Sequence, residues 1–129
     1  MNTISTFEVK SWDEQPFAEG DGQPKLTQTT ATKTFTGDIE GEGTVRYLMV
    51  YREDGSTVIM GLERVTGRIG DRTGSFVLEH TGTDKDGAAS VTFTVVPGTG
   101  TGDLKGLTGK GAFEAKAMRV DFTFDYELP

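Results

Sequence analysis

Residues 46–80 read RYLMVYREDGSTVIMGLERVTGRIGDRTGSFVLEH, and the fold follows from how this stretch turns back on itself. Glu53-Asp54-Gly55-Ser56 places Asp-Gly at the centre of a two-residue hairpin loop, in which both central residues adopt positive φ. Counting outward, Arg52 opposes Thr57, Val50 opposes Ile59, Leu48 opposes Gly61 and Arg46 opposes Glu63. Gly70-Asp71 supplies the next turn, with glycine first as type II′ requires. It pairs Ile69 with Arg72, Val65 with Phe76, Glu63 with Leu78 and Gly61 with His80. A third turn, Asp86-Gly87, pairs Lys85 with Ala88, His80 with Phe93, Leu78 with Val95 and Phe76 with Pro97. Together these registers place Arg46, Glu63 and His80, the only histidine of the chain, on one face of three adjacent strands.

The same face carries Leu48, Val50, Ile59, Val65, Phe76, Leu78, Val91, Phe93 and Val95, which predicts that it is the buried one. A slip of one residue would turn the whole set toward water, so burial specifies register. Glu63 and Arg46 are then directly opposed, about 4.5 to 5.5 Å apart at Cβ, while Glu63 and His80 are diagonal neighbours at roughly 7 to 8 Å. Gly61 leaves room beside the imidazole. Burial and a nearby carboxylate pull a histidine pKa in opposite directions, so His80 and Glu63 are the candidate acid/base pair. Arg46, Leu48, Gly61, Leu78 and Phe93 are the candidate ligand-binding residues around them. The plainer reading is a cross-strand Arg46–Glu63 ion pair to which His80 contributes a hydrogen bond, and it ranks ahead of catalysis because ion-pair networks perturb titration too.

A chain of 129 residues with strand-like runs punctuated by 18 glycines about every ten residues reads as one all-β domain, residues 1–129. Eight strands are expected, at about 3–12, 26–36, 42–52, 57–68, 73–83, 88–97, 109–115 and 118–127. Short connections make consecutive strands neighbours, and closing such a meander removes both exposed edges, so an eight-stranded antiparallel up-and-down barrel is expected rather than a sandwich. Asp13–Lys25, with Pro16 and Pro24, and Gly98–Thr108 read as the longest non-strand segments. In the latter, residues 103–107 suggest one short helical turn forming a plug or rim.

A net charge of −7 argues against nucleic acid, which requires clustered Lys and Arg. With no cysteine there is no disulfide framework or thiolate, and one histidine makes a protein-only zinc site an unpromising reading; no metal or cofactor is expected. The polar start Met1-Asn2-Thr3 and the absence of any run of about 20 apolar residues predict a cytoplasmic protein without membrane association. Tyr47, Met49, Tyr51, Val58, Met60 and Leu62 fall on the opposite face, less polar than a solvated wall, either because they line the cavity or because another subunit covers them. The second option is favoured, as a symmetric homo-oligomer, with a dimer first. Val120, Phe122, Phe124 and Tyr126 alternate cleanly in the last strand. The first two strands alternate weakly, with Phe7 and Val9 on one face and Glu8, Lys10 and Trp12 on the other, and neither face is assigned to the interior.

The phrases FEVKSWDEQPF, KTFTGDIEGEGTVRYLMVYREDGS, GLERVTGRIGDRTGSFVLEHTGT and TVVPGTGTGDLKGLTGKGAFEA resemble, in order and over nearly the whole chain, the bacterial proteins grouped as domain of unknown function 3224. The resemblance implies an allene oxide cyclase-like eight-stranded barrel with a central cavity, and oligomeric members. It implies no established activity; isomerase or cyclase chemistry carries over as fold analogy alone.

Two functions of different class follow. In one, the barrel binds a small apolar or amphipathic molecule, with Arg46, Glu63 and His80 orienting it and acid/base chemistry as an extension. In the other, it is a non-catalytic carrier or interaction module. A cavity of at least ~300 Å³ reaching His80 from solvent favours the first. An interior packed solid by Phe76, Phe93, Phe113, Phe122 and Phe124 favours the second.

Overall fold

The computed structural model describes residues 1–129 and is a closed barrel of eight antiparallel strands in chain order. The strands are β1 (Asn2–Ala18), β2 (Lys25–Gly37), β3 (Ile39–Tyr51), β4 (Thr57–Ile69), β5 (Arg72–Lys85), β6 (Ala88–Val95), β7 (Thr108–Ala115) and β8 (Arg119–Glu127). Closure is made by β1 pairing β8, with Phe7 opposite Val120 and Thr3 opposite Phe124, so that no strand keeps a free edge along this seam. No helix is long and apolar enough to cross a membrane.

Two of the three hairpins pair as the sequence predicts. At Gly70-Asp71 the glycine takes φ 63° and Ile69 opposes Arg72, while at Asp86-Gly87 both residues have positive φ, 56° and 83°, and Lys85 opposes Ala88. His80 accordingly faces Gly61 on one side and Phe93 on the other. The expected Phe76–Pro97 pairing does not form, because β6 ends at Val95.

The β3–β4 turn differs. Only Gly55 takes positive φ (86°), Gly55 N–H donates to Arg52 C=O at 3.1 Å, and Arg52 N–H donates to Ser56 C=O at 2.9 Å. The loop is therefore the three residues Glu53, Asp54 and Gly55, of the form that ends in a left-handed glycine. Asp54 Oδ1 holds it by accepting from the backbone N–H and the hydroxyl of Ser56, at 2.9 and 2.6 Å. One extra loop residue moves β3 by one position, so Tyr47 opposes Gly61 and Val45 opposes Glu63. All of β3 is thereby turned over relative to expectation: Val45, Tyr47 and Met49 point inward, and Arg46 and Leu48 point out.

β1 is longer than expected, running through Pro16 to Ala18 opposite β2. A bulge between Val9 and Ser11 reverses its alternation. Phe7 and Val9 pack toward the interior before the bulge, and Trp12 and Glu14 follow on the same side after it, opposite Ala31 and Thr29. The irregularity accounts for the lack of a clean face in the sequence.

The interior is divided along the barrel axis. One end is filled by Ile39, Ile69, Phe76, Phe122 and Phe124 and capped by Leu104 and Leu107, both fully buried, from a single 3-10 turn at Gly102–Leu104 and the residues after it. The plug expected from residues 103–107 is thus present, with its helical turn starting one residue earlier. At the other end the packing is open.

Candidate functional site

Between these halves lies a group of four polar side chains, one from each of four consecutive strands: Lys33 (β2), Tyr47 (β3), Glu63 (β4) and His80 (β5). Glu63 and His80 are 1% exposed and Lys33 is 3% exposed. His80 Nε2 lies 2.7 Å from Glu63 Oε1, and the same oxygen accepts from Lys33 Nζ at 3.2 Å. Lys33 also donates to the Tyr47 hydroxyl at 3.2 Å and sits 4.2 Å from the centroid of the Phe7 ring, a cation–π geometry. The ammonium is thus surrounded by a carboxylate, a phenol and an aromatic face.

The local backbone makes this meeting possible. Lys33 and Glu63 stand on strands separated by β3, and the β3 residue between them is Gly43, paired with Lys33 on one side and Val65 on the other. A Cβ at Gly43 would overlap Glu63 Oε2 and stand 2.8 Å from Phe35 Cε2. The missing side chain is the space the carboxylate occupies. Gly61 plays the corresponding part for Tyr47, whose Cδ1 would lie 2.6 Å from a Cβ there. The phenol ring therefore fills the room that glycine leaves beside the imidazole, edge-on to it at 5.6 Å between centroids.

Electrostatics follow from burial and pairing. Burial pushes the Glu63 carboxyl up, yet the Lys33 charge and the His80 hydrogen bond outweigh it and hold the group below the usual carboxylate range. Burial pushes Lys33 down, but the Glu63 charge and the Tyr47 hydroxyl reverse this and leave the ammonium above its ordinary value. Burial also raises Tyr47 and lowers His80, the latter against the pull of Glu63. Near neutrality the group is an ion pair flanked by a neutral phenol and a neutral imidazole, so His80 donates from Nε2. Glu63 Oε2 and His80 Nδ1 are buried without a protein partner.

Of the residues the sequence proposes for a site, His80, Glu63, Leu78 and Phe93 come together inside the barrel around a void of about 10 Å³, which also touches Lys33. That is about the room one water molecule takes. Gly61 lies in the wall beside them. Arg46 and Leu48 are not in the interior; the extra loop residue carries both to the outer surface, where Leu48 is 46% exposed. The cation beside Glu63 is Lys33 instead. Lys33 is the member that sequence reasoning missed, while Tyr47 lies in the interior, the less favoured of the two placements the sequence offered for it. The available signal was Lys33 between Ala31 and Phe35, the one charge on that face beyond Lys25 at the strand's start, but the other face of β2 is threonine and glutamine after Leu26 and gives little contrast.

Above the polar group the open half of the barrel forms a cavity of about 490 Å³. Lys33 and Tyr47 are its most deeply buried polar residues; Trp12, Met49, Ile59 and Val91 are among its walls, and Asp84 and Lys116 are its other charged residues. His80 and Glu63 do not line it.

The family model for the protein of unknown function DUF3224 matches residues 3–126. The chain belongs to the DUF3224 family. A solved structure of a DUF3224 protein of unknown function from Shewanella oneidensis MR-1 is similar to it, with a TM-score of 0.84 and 29% identity, covering 100% of this chain and 98% of that one. No curated protein matches the chain. The family resemblance expected from the sequence is thus established together with the barrel, and this DUF3224 barrel takes no activity from its relatives.

Proposed function

We propose that the protein binds a small apolar or amphipathic molecule in the open half of its barrel. The observation that carries this reading is the cavity of about 490 Å³ with mostly apolar walls, in the range of small-molecule sites, in a barrel whose other half is packed solid. Binding is favoured over isomerase or cyclase chemistry because the imidazole and carboxylate line a separate void and bear on a ligand only through Lys33. In this reading His80 and Glu63 are positioning residues that hold the ammonium at the cavity floor.

The single tryptophan makes the test direct, since Trp12 lines the cavity with its ring 6.1 Å from that of Tyr47. The apolar dye N-phenyl-naphthylamine is expected to bind and to accept excitation energy from Trp12. Ala115→Phe, which places a ring in the cavity, is expected to abolish that transfer while the melting transition persists. Dye binding unaffected by Ala115→Phe, or no binding at all, would refute the reading.

For the partner we propose a second copy of the chain, seated on the outer wall of β3–β5. Leu48, Met60 and Leu62 are exposed there at 46, 47 and 57%, and in one cross-strand row Arg46 and Glu79 flank Leu62 on its two sides. A two-fold axis running along β4 sets Arg46 of each copy against Glu79 of the other, so the patch is complementary to itself. Arg46→Glu and Glu79→Arg are each expected to give a monomer in sedimentation velocity, and the double exchange to restore the dimer. A monomeric unmodified protein would overturn this.

A further inference from the structure

The polar residues of the cavity are arranged asymmetrically, and their chemistry specifies one end of the occupant. The deepest two, Lys33 and Tyr47, are 3% and 5% exposed, and both are donors near neutrality. The lysine gives one N–H to Glu63 and one to the Tyr47 oxygen, with its ammonium over Phe7. The Tyr47 hydroxyl, having accepted from Lys33, donates its own hydrogen to no protein group. An O–H whose oxygen is already held by an ammonium is a stronger donor than a free phenol, because each hydrogen bond in a chain polarises the next. The one side-chain acceptor at this depth is the phenol oxygen that Lys33 already holds, since the carboxylate of Glu63 lines the void below rather than the cavity.

Charge narrows the class further. The Lys33 ammonium is neutralised by Glu63 at 3.2 Å, and the cavity's other charged residues, Asp84 and Lys116, are of opposite sign. An anionic head would lose its hydration without meeting an uncompensated positive charge, inside a chain of net charge −7. A neutral acceptor on an apolar body meets the donor without that cost. We infer that the site is built for an apolar molecule carrying a neutral carbonyl, whose oxygen accepts from Tyr47 at the floor while Lys33 holds the phenol in place.

This inference rests on the cavity-binding reading, and the test separates the two. Methyl hexyl ketone, octane and octanoate are titrated as competitors of N-phenyl-naphthylamine against the unmodified protein and Tyr47→Phe, which keeps the ring and removes the donor. The ketone is expected to displace the dye, to weaken about three- to tenfold in Tyr47→Phe, and to bind at least about tenfold more tightly than octanoate, while octane binds both proteins alike. Infrared difference spectra with the carbonyl carbon isotopically labelled are expected to show the bound ketone's stretch shifted down by the hydrogen bond. This readout uses the unmodified protein and stands even if Tyr47→Phe does not fold.

Loss of ketone and octane affinity to the same extent in Tyr47→Phe, octanoate binding more tightly than the ketone, or an unshifted carbonyl stretch would each overturn the carbonyl assignment while leaving cavity binding intact. Failure of all three molecules and of the dye to bind would remove both.

Discussion

Removing the ammonium of Lys33 by Lys33→Met leaves the Glu63 carboxylate buried beside Gly43 with only the imidazole for support. Breaking a buried pair in this way typically costs about 3 to 5 kcal/mol. Unfolding entropy of about 2.1 cal/mol/K per residue over 129 residues makes each kcal/mol worth about 4 °C, so Tm is expected to fall by roughly 12 to 20 °C. Glu63→Met, which strands the ammonium, is expected to cost a similar amount. The double substitution removes both charges, and its remaining cost is the buried Nε2–H of His80, left without its acceptor, at about 1 to 3 kcal/mol. Denaturant melts of the four proteins therefore give a strongly non-additive cycle. In Lys33→Met, burial, the largest influence on Glu63, is opposed only by the His80 hydrogen bond and moves its pKa upward, so protonation becomes easier in the folded state and the variant's deficit shrinks as pH is lowered toward 5. A double variant whose cost equals the sum of the singles, or a Lys33→Met deficit independent of pH, would refute the ion-pair account.

In the unmodified protein, Glu63 and His80 are both depressed, so their contribution is present above the unfolded values of 4.5 and 6.5 and is lost as pH falls through the folded ones. Lys33 and Tyr47 are both raised, so theirs is present below 10.5 and 10.0 and is lost as pH rises through the folded values. Stability measured against pH is thus expected to hold between about pH 6.5 and 10 and to decline on either side; a maximum near pH 5 would contradict the charge states assigned here. Gly43→Ala pushes a methyl group into the Glu63 carboxylate and Phe35, and calorimetry is expected to register a loss of about 1 to 3 kcal/mol or more; an unchanged Tm would mean the carboxylate lies elsewhere. Leu104→Ala removes a fully buried residue of the plug and is expected to cost about 2 to 5 kcal/mol in urea unfolding without affecting dye binding in the opposite half.

The strands, their order and two of the three registers are local properties, which is why they are legible in the sequence. Alternation in β5, β6 and β8 names the buried face, and Gly70-Asp71 and Asp86-Gly87 each commit their hairpin to one pairing because a glycine or aspartate there accepts positive φ. From these the contact between Glu63 and His80 follows directly. The Asp54-Gly55 turn shows where that logic stops. The same dipeptide serves a two-residue and a three-residue loop, and the choice lies in whether Asp54 turns back to accept from Ser56. That single residue of difference sent Arg46 outward and Tyr47 inward, because side chains alternate with period two.

What only the tertiary structure decided is the company Glu63 keeps and where the barrel is hollow. Lys33 and Glu63 are 30 residues apart and two strands removed, and they touch because curvature and the gap at Gly43 bring a long side chain across the intervening strand. Whether the interior beside them is filled depends on the bulge in β1, the depth of the Leu104–Leu107 plug and the summed volume of aromatic rings from several strands. A periodic pattern gives each residue a side of the sheet, whereas the room left inside a closed barrel belongs to all eight strands together.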